Sequence, residues 1–310
     1  MIDPSYAGTR HPRFDAEVER GRLRSFAAAV GLDEAVFHDV DAARAAGHPD
    51  LPVPPTFLFG LELERSQDTL AAMGIEMARV LHIEQGFVYH STAHAGDRLT
   101  FAPVLVSVRA HRGARLQLLA TETAVTRRDG TPVADLRQVL AVREDPAARD
   151  ARSTGGCLVR VDPAGLAVGT ELPELVPPPV TRAMLALYAG ASGDHNPIHI
   201  DSDAAVAAGL EDVIAHGMLS MAFLGRMLTA RVPVEDLVSF RVTFRAPTPV
   251  HARPRCTARV VSVDPPADGS DGPRTARLDL TVRLEDGPVT VRGEAVVRLR
   301  DTGAVPAPPH

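Results

Sequence analysis

Apolar and polar positions follow two periods along the chain, and both periods occur in each half. Residues 14–30, FDAEVERGRLRSFAAAV, carry apolar side chains at helical spacing and stop at Gly31. That pattern predicts an amphipathic helix closed by a left-handed glycine. Residues 87–108 and 115–143 predict strands, because QLLATETAVT and DLRQVLAVR alternate apolar and polar as a half-buried sheet requires. RDGT at 128–131 reads as the hairpin turn between them. The stretch 144–165, EDPAARDARSTGGCLVRVDPAG, is rich in Pro, Gly, Asp and Arg and has no sustained period, so it predicts a boundary between units 1–150 and 151–310. Beyond it the plan returns. TRAMLALYAGAS follows three prolines and predicts a helix. Strands are predicted at 237–248, 254–264, 275–285 and 288–300, with EDGP at 285–288 as the last hairpin. PPADGSDGP at 265–273 predicts a loop and 301–310 a disordered tail.

The similarity between halves extends to residue identities. Sliding residues 26–57 onto 188–219 needs no gap and pairs Gly31 with Gly193, Asp39 with Asp201, Asp41 with Asp203, Gly47 with Gly209 and Asp50 with Asp212. Two fused copies of one unit is the economical explanation. Gly31 and Gly193 would end equivalent helices, and Asp39 or Asp41 and Asp201 or Asp203 would cap equivalent short ones.

Composition narrows the function classes. A formal net charge of -6 argues against a general nucleic-acid binder. No apolar run approaches the ~18–20 residues that span a bilayer, and the N-terminus MIDPSYAGTRHPRFD has no apolar signal core, so a cytoplasmic protein is expected. Two cysteines, Cys157 and Cys256, are too few for a disulfide scaffold or a Cys-based zinc site, and each reads as a small buried residue. The 33 basic residues are all arginine, which excludes a lysine Schiff base and a P-loop lysine.

The two copies differ where chemistry would sit. Asp194 stands opposite Leu32, Asn196 opposite Glu34, His199 opposite Phe37 and Gly217 opposite Pro55. Within GDHNPIH, residues 193–199, Pro197 removes a backbone donor and holds Asn196 off helical geometry, so the segment can aim Asp194 and His199 at one point. Histidine titrates near neutral pH, and a nearby carboxylate can orient it or handle a second proton. IAHGML at 214–219 opens a helical run, which places the Gly217 N–H at a helix N-terminus suited to a developing oxyanion. Base, acid, amide and oxyanion donor fit proton abstraction next to a carbonyl.

YAGASGDHNPIH followed by IAHGM resembles the signature of MaoC-like (R)-specific enoyl-CoA hydratases and 3-hydroxyacyl-thioester dehydratases, over roughly residues 165–300. The first half, through HDVDAARAAGHPDLPVPPTF and HAGDRLTF, is similar to the companion domain that lacks the dyad. The resemblance implies an α+β double hot-dog, each antiparallel sheet wrapped around a central helix, with a non-catalytic first unit and a catalytic second. It implies Asp194 and His199 as the catalytic dyad, Asn196 holding the water and Gly217 N–H polarising the carbonyl. Tyr188, Ser192, His216 and Met218, in the same motifs, would meet the substrate. One departure stands out: the second unit reads VHARPR at 250–255 where the family has a Gly-Asp turn, which the first unit keeps as Gly96-Asp97.

The expected reaction is reversible dehydration and hydration of (R)-3-hydroxyacyl and trans-2-enoyl thioesters, with Asp194 favoured on the water and His199 on the C2 proton. A hot-dog thioesterase and a non-catalytic acyl-thioester binding module are the alternatives. No metal or cofactor is implied. The partner is a thioester of CoA or of an acyl carrier protein, its phosphates met by arginine forks at Arg226, Arg231, Arg241 or Arg245. Monomer and homodimer both fit two fused hot-dogs.

Overall fold

The structure, a computed structural model, describes residues 2–76, 79–110, 116–143, 166–265 and 273–300. The expected boundary at 144–165 with Cys157, the tail at 301–310 and residues 266–272 of the expected loop lie outside the described residues. Among the described residues ten strands form one antiparallel sheet. In chain order they are β1 (Thr9–Arg10), β2 (Phe14–Glu17), β3 (Val80–Tyr89), β4 (Arg98–Ala110), β5 (Leu116–Arg127), β6 (Pro132–Arg143), β7 (Leu237–Phe244), β8 (Pro254–Asp264), β9 (Thr275–Leu284) and β10 (Val289–Arg298). The helices are α1 (Arg20–Val30), α2 (Val40–Ala45), α3 (Phe57–Ala72), α4 (Arg182–Ser192), α5 (Ser202–Ala207) and α6 (Gly217–Thr229). None of the described helices is long and apolar enough to cross a membrane.

The strand order is β1-β4-β5-β6-β3-β7-β10-β9-β8, with β2 also on β4. The two halves therefore join through one ladder, β3 on β7, where Phe87 faces Phe240 and Gly86 faces Arg241. The chain has the double hot-dog fold, one central helix for each half-sheet. In the second half that helix is α6. Ten of its residues, from Met218 to Leu228, are buried on every face. A helix apolar all round must lie inside, and each large side chain so placed stabilises by about 1.5–3 kcal/mol.

Two expectations need correction. Residues 14–17 are not the first turn of a helix. They form β2, with alternating burial, and pair with Arg98–Phe101, so the helix begins only at Arg20. Residues 87–108 are not one strand either. β3 ends at Tyr89, and the chain turns through Gly96 before β4. The central helix α3 has no counterpart in the periodicity of the first half.

The repeat is borne out in three dimensions, and it reaches beyond the stretch 26–57. Gly31 and Gly193 close α1 and α4 at φ 71° and 76°. Asp39 and Asp201 accept the N–H of Ala42 and Ala204 as N-caps of α2 and α5. Arg20 pairs with Asp50 as Arg182 pairs with Asp212. Equivalent positions even meet one another, Phe26 on Tyr188 with ring centroids 5.9 Å apart, as at a two-fold axis. The departure at VHARPR is also explained. His251 N–H bonds the Val180 carbonyl at 2.6 Å, as Gly96 N–H bonds the Val18 carbonyl at 2.8 Å. His251 thus takes the left-handed place of that glycine, at φ 68°, and no other described non-glycine has positive φ. The turn survives at a cost of about 1–2 kcal/mol in backbone strain.

Candidate active site

The segment GDHNPIH is built by three local devices. Gly193 ends α4, its N–H bonded to the Ala189 carbonyl. Ser192 Oγ accepts the Asp194 N–H at 3.2 Å, and Asp194 Oδ1 accepts the Asn196 N–H at 3.3 Å. Pro197–His199 then forms a 3-10 turn, with the Asn196 oxygen facing the Ile198 N–H at 3.4 Å. The first copy has the same 3-10 turn at Ala35–Phe37. There Leu32 and Phe37 are buried apolar residues, each 2% exposed. Backbone scaffold and chemistry are separable: the first repeats and the second does not.

The turn points His199 inward. Its Nδ1 lies 2.8 Å from the Ile214 carbonyl. A carbonyl can only accept, so Nδ1 carries the proton and Nε2 is left as a free base. His216, fully buried, donates from Nε2 to the Asp194 carbonyl at 3.1 Å, and its ring lies 4.0 Å from that of His199. Tyr188 completes the wall, 5.0 Å from the His216 ring. Burial, the dominant cause, holds His199 below the usual histidine value, although the Asp194 charge and the Ile214 bond pull upward. Burial and then the neighbouring His199 push His216 far down. Both imidazoles are neutral near pH 7.

One ligand atom each from Asp194, His199 and His216 lie within 4.8 Å of one another. Both rings are oriented through their second nitrogen by a carbonyl, the arrangement seen in metal ligands, so the trio is geometrically able to hold a divalent cation.

Gly217 begins α6 directly after His216, so its N–H has no intrahelical acceptor and faces outward with the positive end of the helix. The position is tight as well. A Cβ there would lie 3.0 Å from the Phe244 ring. Gly217→Ala must push that ring aside, and about a tenfold fall in turnover is expected, partly restored by Phe244→Leu in the same chain. Steady-state kinetics of the two variants check this; an unaffected Gly217→Ala would show that Phe244 yields freely.

Of the remaining expected residues, Met218 is buried in α6. Arg226 does not join the site. Nine residues down α6, about 13 Å along the axis, it covers Gly31 of the first copy and bonds Asp33 at 3.0 Å. Arg241 also turns away. Phe240 and Val242 face the core, so Arg241 projects from the opposite sheet face and pairs with Glu294 at 3.0 Å. Arg231 lies past the end of α6 and is exposed. Arg245 is exposed and follows Phe244, the residue whose ring lies against Gly217.

Contributions from the first unit have no signal in the sequence. Arg22 of α1 donates to the Ala191 carbonyl at 3.2 Å and the Ser192 carbonyl at 3.4 Å, capping the C-terminus of α4 just before Asp194. His82 of β3 stacks on Phe59 and meets Phe244 at a tilt of 57°, centroids 5.1 and 4.9 Å away. Burial pushes it down to about 4, against the upward pull of Asp194, so it is close enough to sense that carboxylate. A lone histidine mid-strand does not announce such a role.

Residues 5–136 match the family profile described as FAS1-like, dehydratase domain region, and residues 165–274 match the MaoC-like domain. A protein of Saccharopolyspora erythraea described as UPF0336 is 33% identical over 157 residues, 99% of its own length and 48% of this chain. The chain belongs to the MaoC-like dehydratase family. A solved MaoC-like dehydratase superposes with a TM-score of 0.82 at 24% identity, covering 96% of this chain and 99% of that one. A Mycobacterium tuberculosis protein described as a double hot-dog superposes at 0.63 and 17% identity, covering 94% and 96%. At those identities the likeness shows fold. In this family member the first match runs from before β1 into β6, and the second runs from before α4 through β8 and stops short of β9.

Proposed function

We propose that the chain is a hydro-lyase that reversibly dehydrates (R)-3-hydroxyacyl thioesters to trans-2-enoyl thioesters, with the second unit catalytic and the first lacking the dyad. The observation that carries this reading is the convergence of Asp194 and His199 within 4.8 Å, beside the N-terminus of α6. In the dehydration direction the neutral His199 Nε2 takes the C2 proton. The electron pair moves toward the thioester carbonyl, whose oxygen rests on the Gly217 N–H; one such donor is worth about 3–4 kcal/mol at the transition state. The C3 hydroxyl leaves as water with a proton from Asp194. The dyad thus carries one proton, on Asp194 before elimination and on His199 after it, and hydration runs the same path backwards. Ile214 supports this assignment, because its carbonyl keeps the His199 proton on Nδ1 and the base at Nε2.

Asn196 has its amide NH2 left for the water, and Arg22 and His82 position the loop and wall from the other unit. The substrate would be a thioester of CoA or of a carrier protein, acting on a monomer or a homodimer of the fused chain. The test is to mix the purified chain with trans-2-octenoyl-CoA and with the same acyl group on an acyl carrier protein, following enoyl absorbance and free thiol together. Loss of absorbance without thiol, yielding the (R)-3-hydroxy product, is expected. Thiol release would indicate a thioesterase, and unchanged absorbance with binding would indicate a module without turnover; either sinks the reading.

A further inference from the structure

The first unit has lost the dyad, yet it has acquired a buried acid of its own. At the repeat offset that pairs Phe26 with Tyr188, Glu62 of α3 corresponds to Leu224 of α6. Leu224 is a fully buried core residue, and Glu62 is buried just as deeply, 2% exposed. A carboxyl in an apolar core position is costly unless it is hydrogen-bonded. Only half of this one is: Thr123 donates its hydroxyl to Oε1, and Oε2 is buried with no partner among the described residues. Burial pushes the acid up to about 7 against the opposing Thr123 bond.

Glu62 lines a cavity of about 270 Å³ between α3 and the first half-sheet. An apolar cavity of ~150 Å³ takes a benzene ring, so this one has room for a chain or ring system of nearly twice that size. Its walls are mostly apolar, with Leu70, Leu119 and Leu140 among them. Gln138, itself buried, adds a second polar group, and Arg65 stands exposed at the side. Leu140 faces His82 across the β3–β6 ladder, which puts the cavity beside the wall that senses Asp194.

We propose that this cavity is a binding site for a largely apolar ligand that carries a hydroxyl or carbonyl oxygen, recognised by a hydrogen bond to Glu62. The polar-for-apolar exchange runs opposite to that at the dyad, so the first unit keeps a recognition role where it has no proton to transfer. Such a ligand has two sources: the oxygenated acyl part of a thioester under turnover, or a free small molecule. Binding in the cavity is independent of the proposed hydro-lyase reaction; only its assignment to the acyl chain rests on that reading.

The full chain tests this by calorimetry at pH 6 with hexan-1-ol and with 1-chloropentane, which has similar length but no hydroxyl. The wild type should bind the alcohol about tenfold more tightly, the worth of one hydrogen bond. Glu62→Leu should remove that preference, and Glu62→Gln should retain most of it because an amide also donates and accepts. Ser66→Phe, which fills the cavity, should abolish both. If Glu62→Leu does not fold, the Ser66→Phe and Glu62→Gln chains still decide. No oxygen preference in the wild type, or one that survives Glu62→Leu or Ser66→Phe, overturns the site. The second arm compares trans-2-octenoyl-CoA with its 8-hydroxy derivative. An acyl-end ligand predicts that the hydroxyl raises kcat/KM about tenfold in wild type and not in Glu62→Leu. A free ligand predicts equal ratios and hexan-1-ol binding without competition. Absent turnover with intact alcohol selectivity would sink the hydro-lyase reading and leave the cavity site standing.

Discussion

Asp194→Asn and His199→Gln are each expected to slow enoyl-thioester hydration by about 10²–10⁴-fold, the usual contribution of a positioned acid or base, while thermal stability changes little. Asparagine keeps an oxygen for the Asn196 N–H, so the loop persists and only proton exchange is lost. Glutamine can still meet the Ile214 carbonyl but has no basic nitrogen to replace Nε2. The two groups share one proton in the proposed cycle, so their effects should not add: the double variant should be about as slow as the slower single one. The dehydration rate should also depend on pH in a set direction. His199 must be neutral to act, and burial holds it below 6.5. On the acid side the rate should therefore fall as the imidazole takes up a proton, with the midpoint of that fall below pH 6.5. Steady-state rates of the three chains, alongside melting temperatures, check the assignment. Near-normal turnover in both single variants, or a loss explained by unfolding, would refute it.

Glu62→Gln is expected to change how stability depends on pH by about 3 kcal/mol. Burial raises the Glu62 carboxyl from 4.5 to about 7, and each pK unit is worth ~1.4 kcal/mol. A carboxyl raised in the folded state favours folding fully below the unfolded value. That contribution is lost as pH rises from about 4.5 through about 7, because the unfolded chain ionises first. Glutamine cannot ionise, so the variant should gain on the wild type steadily across that window and hold a constant advantage above it. The amide's extra N–H can shift both ends of the comparison equally, so the change between pH 4.5 and pH 8 is the quantity to read. Denaturant midpoints at the two pH values supply it, and parallel profiles for the two chains would remove the case for a buried, ionisable Glu62. The background titration of His82 and His199 is common to both chains and drops out of the difference.

Much of the second unit is legible in its sequence. β8 spans Pro254–Asp264 as its alternation indicates, and α4 and α6 begin within one residue of the starts that their patterns predict. These signals are local. A half-buried strand repeats every two residues, and a helix end is closed by a bond spanning a few residues, as Gly193 shows with Ala189. The first unit is harder to read. FDAE at 14–17 continues smoothly into a helical pattern, and only the edge of β4 turns it into a strand. α3 holds Gly60 and buries Glu62 and several apolar residues together, so neither period stands out.

By itself the sequence determined the duplication, the turn glycines and capping aspartates that make the copies alike, and the substitution of Asp194 and His199 for Leu32 and Phe37 that makes them differ. A comparison of two copies needs no coordinates, because the scaffold is common and cancels. The tertiary structure alone decided which side chains surround that difference. Arg22 reaches α4, His82 feels the charge of Asp194, and Arg226 goes to Asp33 rather than to a phosphate. Each of these interactions joins residues more than 100 positions apart. A side chain's type sets which bonds it can make, but the packing of the two half-sheets sets which partner lies within reach.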